Sequence, residues 1–124
     1  MQLLFVIDKP KINKYQGDPV NRKLTEGNNV TFHCEIQSGS PRPAVKWYFG
    51  WTDTLKEVDG NYDPRFSHPT EDKWTITGIS ILDKGKYRCI ASNIAGTDDL
   101  RFEITEVDGK FWYNISINLY LENY

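Results

Sequence analysis

Apolar side chains recur at every second position along several stretches of this 124-residue chain. A repeat of two is typical of a β-strand with one buried and one solvated face, and no stretch shows the 3.6-residue repeat of an amphipathic helix. We therefore expect an all-β fold. The residues on the inward phase are Val30, Phe32, Cys34 and Ile36; Val45, Trp47 and Phe49; Trp74 and Ile76; Tyr87, Cys89 and Ala91; and Leu100, Phe102 and Ile104.

Turn-forming residues separate these stretches. The segment Ser38-Gly-Ser-Pro-Arg-Pro43 contains residues that a helix or a central strand would not accept, so it predicts a turn. The segment Asn93-Ile-Ala-Gly96 is expected to join the last two strands as a hairpin. Short strands at near-regular spacing with such turns between them indicate a β-sandwich.

Composition excludes several function classes. Fifteen basic and seventeen acidic residues give a formal charge of −2, which argues against a surface that binds nucleic acid. A hydrophobic content of 39% is enough for a folded core of one domain. No apolar run approaches the ~20 residues needed to cross a bilayer, so we predict no direct membrane insertion. The run from Leu3 to Ile7 is shorter than a signal-peptide core, and Met1 leaves export undecided.

The two cysteines both lie on the inward phase of their strands. Cys34 and Cys89 are 55 positions apart, and no second cysteine pair exists to complete a zinc site. A disulfide is one interpretation. It would lower the conformational entropy of the unfolded chain and so stabilise the fold by ~4 kcal/mol. Two buried free thiols in contact are the alternative, which a reducing compartment would impose.

Three motifs follow one another along the chain. The first, Gly39-Ser-Pro-Arg-Pro-Ala-Val-Lys-Trp47, comes shortly after Cys34. The second, Asp83-Lys-Gly-Lys-Tyr-Arg-Cys89, contains a tyrosine two positions before the second cysteine. The third, Cys89-Ile-Ala-Ser-Asn-Ile-Ala-Gly96, overlaps it.

In this order and spacing the motifs resemble an immunoglobulin-like domain of the intermediate (I-set) type, over residues 9–107. The resemblance implies a β-sandwich of two antiparallel sheets with Greek-key connections and a disulfide from Cys34 to Cys89 packed on Trp47. It also implies that Tyr87 ties back a loop and that Arg65 pairs with Asp83 across one end of the sandwich. Two solvated charges worth under ~1 kcal/mol are the alternative for that pair.

The chain departs from this pattern in three places. Phe49-Gly-Trp-Thr-Asp-Thr54 replaces a short polar turn, residues 1–8 form an N-terminal extension, and residues 108–124 form a strand-like C-terminal extension. In residues 111–124 apolar residues alternate with mostly polar ones, so self-association through this segment is expected if it is left free. It is interpreted as the first strand of a following domain, a strand exchanged with a partner, or a remnant of cloning or splicing.

Residues for catalysis are sparse, and we predict neither an enzyme nor a cofactor. His33 lies on an outward phase and His68 in a loop, with nothing to place them together. The acidic pairs Asp98-Asp99 and Glu71-Asp72 are expected in solvated loops. The sequence contains neither a phosphate-binding glycine loop nor metal-ligand spacing.

Other surface residues suggest contacts with partners or glycans. Tyr48, Arg88 and Ile90 are outward on their strands, and Trp51 lies in the following loop; we predict that these four contact a partner. Folding of Trp51 back over the sandwich end is the alternative. Asn29 and Asn114 begin Asn-x-Ser/Thr triplets, which are glycosylation acceptors if the chain is exported.

The leading functional interpretation is a non-catalytic protein-recognition module of a cell-surface adhesion molecule, receptor or secreted multi-domain protein. Its partner is a protein, with a second copy of the chain as one candidate. The alternative is an intracellular cytoskeletal or sarcomeric scaffold domain, since giant muscle proteins use similar motifs. The cysteines and the two acceptor triplets favour the extracellular interpretation. A soluble enzyme or carbohydrate-binding domain is disfavoured because no site is evident.

Overall fold

The computed structural model describes residues 6–59 and 62–109. These residues form short strands and one 3₁₀ turn, as the two-residue alternation predicts. The elements are β1 (Asp8–Ile12), β2 (Val20–Thr25), β3 (Val30–His33), β4 (Ile36–Ser40), β5 (Ala44–Gly50), β6 (Lys56–Val58), β7 (Phe66–Ser67), β8 (Lys73–Ile76), the 3₁₀ helix Ile81–Asp83, β9 (Gly85–Asn93) and β10 (Gly96–Asp108).

The strands assemble into two packed layers. A five-stranded sheet has the order β2-β10-β9-β5-β6, a three-stranded sheet has the order β3-β8-β7, and β1 pairs with β4. Phe32 of the smaller sheet stacks on Phe102 of the larger sheet with ring centroids 4.7 Å apart, and the rings of Trp74 and Trp47 meet across the layers at 6.1 Å. The expected β-sandwich is therefore confirmed, and β9 and β10 form the expected hairpin.

One strand pairing differs from the expected antiparallel arrangement. β2 runs parallel to β10, from Val20 beside Phe102 to Thr25 beside Asp108. The chain leaves β1 beside the start of β10, where Asp98 accepts the Ile12 N–H, and β2 then lies along the edge of the larger sheet in the direction of β10. Alternation reports which side chains are buried, and it carries no information on strand direction.

The strand expected from Val30 to Ile36 is divided in two, although burial still alternates from Val30 to Cys34 and Ile36 packs on the core. β3 ends at His33 and β4 begins at Ile36. The segment Ile36–Ser40 pairs with β1 at the margin of the sandwich, so part of the predicted turn is an edge strand. Gly39 permits this because its φ is +146°, and a Cβ there would lie 2.7 Å from the Pro43 ring and 3.1 Å from the Pro10 Cα.

Candidate recognition surface

The cysteines and Trp47 occupy the centre of the sandwich. Cys34 and Cys89 form a disulfide with their Cα atoms 6.3 Å apart, and both side chains are fully buried. Trp47 is the direct cross-strand neighbour of Cys89. Its indole N–H donates to the Glu71 carbonyl at 3.0 Å, so this buried polar group is satisfied.

The second motif closes one end of the sandwich. The Tyr87 hydroxyl donates to the Asp83 carbonyl at 2.7 Å, which fixes the 3₁₀ turn against β9. Burial raises the pKa of Tyr87. The Arg65 guanidinium contacts the buried Asp83 carboxylate, and its hydrogen bonds with Asp83 and Asp63 raise the pKa of Arg65. Ser80 and Asp83 form a capping box around the turn.

The predicted partner-contact residues of the strands share the outer face of the five-stranded sheet. Tyr48 lies opposite Arg88 of β9 on one side and Glu57 of β6 on the other. Arg88 in turn lies opposite Arg101 of β10, so one row of side chains crosses four strands. Ile90 lies two residues along β9 from Arg88, which makes it a diagonal neighbour of Tyr48. Tyr48, Arg88 and Ile90 are each half-buried.

Charges of both signs surround this row, and most are paired within the face. Arg88 contacts Asp99 at 2.8 Å, and Arg101 contacts Asp18 at 3.1 Å. Alternation combined with the hairpin register could have placed Asp99 and Arg101 on this face. Asp18 could not have been found, because the loop before β2 reaches the face only through the parallel pairing with β10. Further pairs on this sheet are Lys86 with Asp53, Lys46 with Glu57 at 3.8 Å and Lys23 with Glu106 at 3.8 Å.

The pKa values of Lys86 and Asp53 are both shifted by their contact. Hydrogen bonding between Lys86 and Asp53 raises the pKa of Lys86 and lowers the pKa of Asp53. Both side chains are solvent-accessible, so this pair contributes little to the stability of the domain.

Trp51 lies at the end of this face. It shows features of both interpretations, since its ring is exposed for contact with a partner and also folds back against the end of the sandwich. Its side chain is 66% exposed. Its indole N–H nevertheless donates to the Leu82 carbonyl at 3.0 Å, and its ring meets the edge of Phe49 at 5.6 Å. The ring is thus fixed in orientation while most of its surface remains available for contact.

The opposite, three-stranded face is polar. The hydroxyls of Thr31 and Thr75 share a hydrogen bond of 2.9 Å, and His33 Nε2 lies 3.0 Å from Asp72. Sequence analysis missed this carboxylate partner of His33, which comes from the loop before β8. Hydrogen bonds from Thr70 and from His33 lower the pKa of Asp72. His68 does not join this group, since it stacks on the Trp74 ring at 5.9 Å.

Asn29 lies on this side of the domain, immediately before β3. Its side chain is exposed, and its Oδ1 accepts a hydrogen bond from the Gly78 N–H at 3.0 Å. The second acceptor triplet, at Asn114, and the whole segment 111–124 lie outside the described residues.

The expectation that Asp98 and Asp99 lie in a solvated loop is wrong, because both belong to β10. Asp98 accepts the Ile12 N–H at 2.8 Å and contacts Lys14 at 2.8 Å, so it attaches the chain around β1 to the larger sheet. Burial opposes ionisation of Asp98, but these contacts outweigh it and lower the pKa of Asp98, while raising that of Lys14.

Over residues 6–59 and 62–109, no three His, Cys, Asp or Glu side chains come together in a way that could hold a metal ion. In the same part of the chain no helix is long and apolar enough to cross a membrane.

Comparison with known families identifies the fold. The family described as immunoglobulin domain matches residues 9–93, which is more than half of the chain. This chain belongs to the immunoglobulin domain family. The match begins within β1 and ends at Asn93, the last residue of β9, so β10 lies beyond the matched residues.

Curated relatives of this immunoglobulin domain are much longer proteins. Mouse (Mus musculus) hemicentin-2 is 35% identical over 86 residues, which cover 68% of this chain and 2% of that protein. Human (Homo sapiens) junctional adhesion molecule C is 33% identical over 84 residues, covering 63% of this chain and 26% of that protein. The chain therefore spans only a small part of the relatives it matches.

Solved structures agree on the fold. The N-terminal four immunoglobulin domains of Dscam1 isoform 7.44 superpose with a TM-score of 0.70 at 19% identity, over 84% of this chain and 26% of that one. A chain of the titin M10–obscurin-like 1 complex superposes with a TM-score of 0.63 at 21% identity, over 82% of this chain and 95% of that one. At such identities the likeness concerns the fold alone.

Proposed function

We propose that this immunoglobulin domain is a non-catalytic protein-recognition module of a cell-surface or secreted multi-domain protein, and that it binds through the outer face of its five-stranded sheet. The observation that carries the proposal is the row Glu57-Tyr48-Arg88-Arg101 with Ile90 beside it. An aromatic and an aliphatic side chain, both half-exposed, lie there among charges of both signs. This combination is typical of the centre and rim of protein interfaces.

The charge pattern of the face also suits a second copy of the chain. Arg88 and Asp99 lie next to each other, as do Arg101 and Asp18. When two such faces meet about a twofold axis, each positive group can approach a negative group of the other copy. A protein partner with the complementary pattern would be accommodated equally well. Trp51, at the end of the face, adds an exposed aromatic ring to the contact area.

The extracellular setting is supported by the disulfide and by the relatives. Disulfides between core strands persist in oxidising compartments and are rare in the cytosol. The relatives include a junctional adhesion molecule. Both observations favour the extracellular module over the intracellular scaffold interpretation.

Asn29 adds a second element to the proposal. We propose that it carries an N-linked glycan on the polar side of the domain, where its side chain is exposed. A glycan there would cover the face with Thr31 and His33 and leave the face with Tyr48 free.

The test compares variants of the two faces in one binding experiment. The secreted chain is screened against a panel of purified receptor ectodomains and against itself by sedimentation. For any ligand found, Tyr48→Ala and Ile90→Ala should each weaken binding by about tenfold or more, as interface hot spots do. Thr75→Ala and Lys73→Ala, on the opposite face and outside the Asn29 triplet, are the matched controls and should change affinity less than twofold. Equal losses on both faces, or losses only in the controls, would show that recognition uses another surface.

A further inference from the structure

Three large apolar side chains are exposed together at one end of the sandwich. Trp51 is 66% exposed, Ile81 44% and Leu82 69%. They line one open cleft of about 380 Å³ together with part of β10, and the charged side chains Lys84, Lys86 and Glu103 lie at the same cleft. Single exposed apolar residues are ordinary on protein surfaces, but a contiguous group of this kind marks a site that is covered by something. We refer to Trp51, Ile81 and Leu82 as the end patch.

The end patch is held in shape before anything covers it. The hydrogen bond from the Trp51 indole to the Leu82 carbonyl fixes the ring relative to the 3₁₀ turn. The capping box of Ser80 and Asp83 fixes that turn. At Gly85, whose φ is +154°, a Cβ would lie only 2.8 Å from the Gly50 carbonyl oxygen, so β5 and β9 approach closely beside the cleft. A preformed cleft loses little conformational entropy when it is filled.

β10 carries the chain past this cleft as it leaves the domain. Pairing between β9 and β10 ends at Gly85 and Ile104, whereas β10 continues to Asp108. Ile104 and Thr105 line the cleft. Since a strand rises ~3.3 Å per residue, Asp108 lies about 10 Å beyond Thr105. The remainder of the chain therefore starts close to the end patch.

The sequence that follows has the composition needed to cover an apolar surface. The alternation of residues 111–121 begins two residues after Gly109. This stretch contains no charged side chain. Eleven residues can span up to about 36 Å in extended form, several times the distance back to Thr105. Gly109 allows the reversal that such a return requires. The apolar phase of this segment is Phe111, Tyr113, Ile115, Ile117, Leu119 and Leu121.

We propose that the apolar phase of residues 111–121 binds the end patch of its own chain. The tether argues for the same chain over a second copy. A short linker gives an effective concentration in the millimolar range, well above ordinary solution concentrations of a second copy. Intramolecular contact also removes the exposed strand that self-association would otherwise need. The polar phase, which contains Asn114, then faces away from the domain.

The experiment uses the full chain and two variants of the segment. The double variant Ile115→Asp/Ile117→Asp places two charges on the apolar phase and should release the segment from the end patch. In the matched control, Asn114→Asp/Ser116→Asp, the same charges lie on the other phase and should leave it bound. The readout is the ¹⁵N NMR resonance of the Trp51 indole, assigned with Trp51→Phe, together with the backbone amides of residues 81–86 and 103–105.

We expect these resonances to move in the apolar-phase variant and to stay unchanged in the control. The reciprocal variant Leu82→Asp, in which an already exposed side chain is replaced, should release the segment too and increase hydrogen exchange in residues 111–121 by tenfold or more. The proposal is overturned if the Trp51 resonance is identical in all chains. It is also overturned if the shifts depend on protein concentration and accompany dimer sedimentation, since that result identifies a second copy as the occupant. A Trp51 ring covered in this way would not contribute to the partner contact area, whereas binding through Tyr48 and Ile90 is not affected by either outcome, so the two proposals fail separately.

Discussion

The guanidinium of Arg65 holds the carboxylate of Asp83 through two hydrogen bonds, of 2.7 Å from Nη1 and 2.9 Å from Nη2. Asp83 is only 2% exposed and also accepts the Ser80 N–H at 2.8 Å. A buried charge is tolerated when it is paired in this way, and a two-pronged contact also fixes the relative orientation of its partners. This pair joins the loop before β7 to the turn before β9.

Replacing Asp83 by Asn should destabilise the domain by about 2–3 kcal/mol, because one of the two carboxylate oxygens that accept from Arg65 and Ser80 would be replaced by an N–H donor. Urea unfolding monitored by tryptophan fluorescence measures the change. The control is Asp63→Asn, which removes a more exposed contact of the same guanidinium and should cost less than about 1 kcal/mol. Similar values for the two variants would contradict a central role for the buried pair.

Trp47→Ala should lower the free energy of unfolding by about 3–5 kcal/mol, since it leaves a cavity between Cys89, Trp74 and Phe102. The change is measured by guanidinium unfolding followed by far-UV circular dichroism. Lys46→Ala, the preceding residue on the solvated side, should cost less than about 1 kcal/mol. A loss below 1 kcal/mol for Trp47→Ala would mean that this side chain is not part of the core.

The stability contributed by Asp98 should depend on pH. Its pKa is lowered in the folded state, so the stabilisation is present above its unfolded pKa of about 3.9 and is lost as the pH falls through the lower folded value. Asp98→Asn should therefore be less stable than the parent chain at pH 7, by about 1–2 kcal/mol.

Urea unfolding across the acidic range tests this prediction for Asp98. The difference between the parent and Asp98→Asn should shrink steadily below about pH 4. Asp108→Asn, at an exposed carboxylate near the end of β10, serves as the control and should follow the parent at each pH. A difference that stays constant down to pH 2 would indicate that Asp98 contributes without being ionised.

If Asn29 is glycosylated, the chain produced in a eukaryotic secretory pathway should lose the mass of one N-linked glycan in Asn29→Gln and in Thr31→Ala. Asn29→Gln retains an amide, and Thr31→Ala retains Asn29 itself, so loss in both identifies the triplet. Intact-mass spectrometry before and after glycosidase digestion provides the measurement. Asn28→Gln, one position earlier and outside the triplet, should keep the glycan. An unmodified Asn29 in secreted parent protein would remove the glycan from the proposed function.

Local pattern was sufficient for much of the fold. Alternation in Val30–Cys34, Val45–Phe49 and Leu100–Ile104 assigned buried faces that the structure contains, because a strand with one wet face must repeat every second residue. The spacing of the motifs around Trp47 and Tyr87 identified the family, and the outward phase placed Tyr48, Arg88 and Ile90 on one face.

Tertiary structure decided what depends on residues distant in sequence. The sequence did not reveal the parallel course of β2 or the division of β3 from β4. It also did not reveal the partners of His33 and Asp98. Each of these features depends on which distant segment of the chain lies beside the residue in the folded domain. The same holds for the end patch, where the loop after β5 meets the turn before β9. A sequence therefore determines by its period which side chains face inward, whereas pairing direction and contacts between loops are set only when the sheets pack and bring distant atoms within hydrogen-bonding distance.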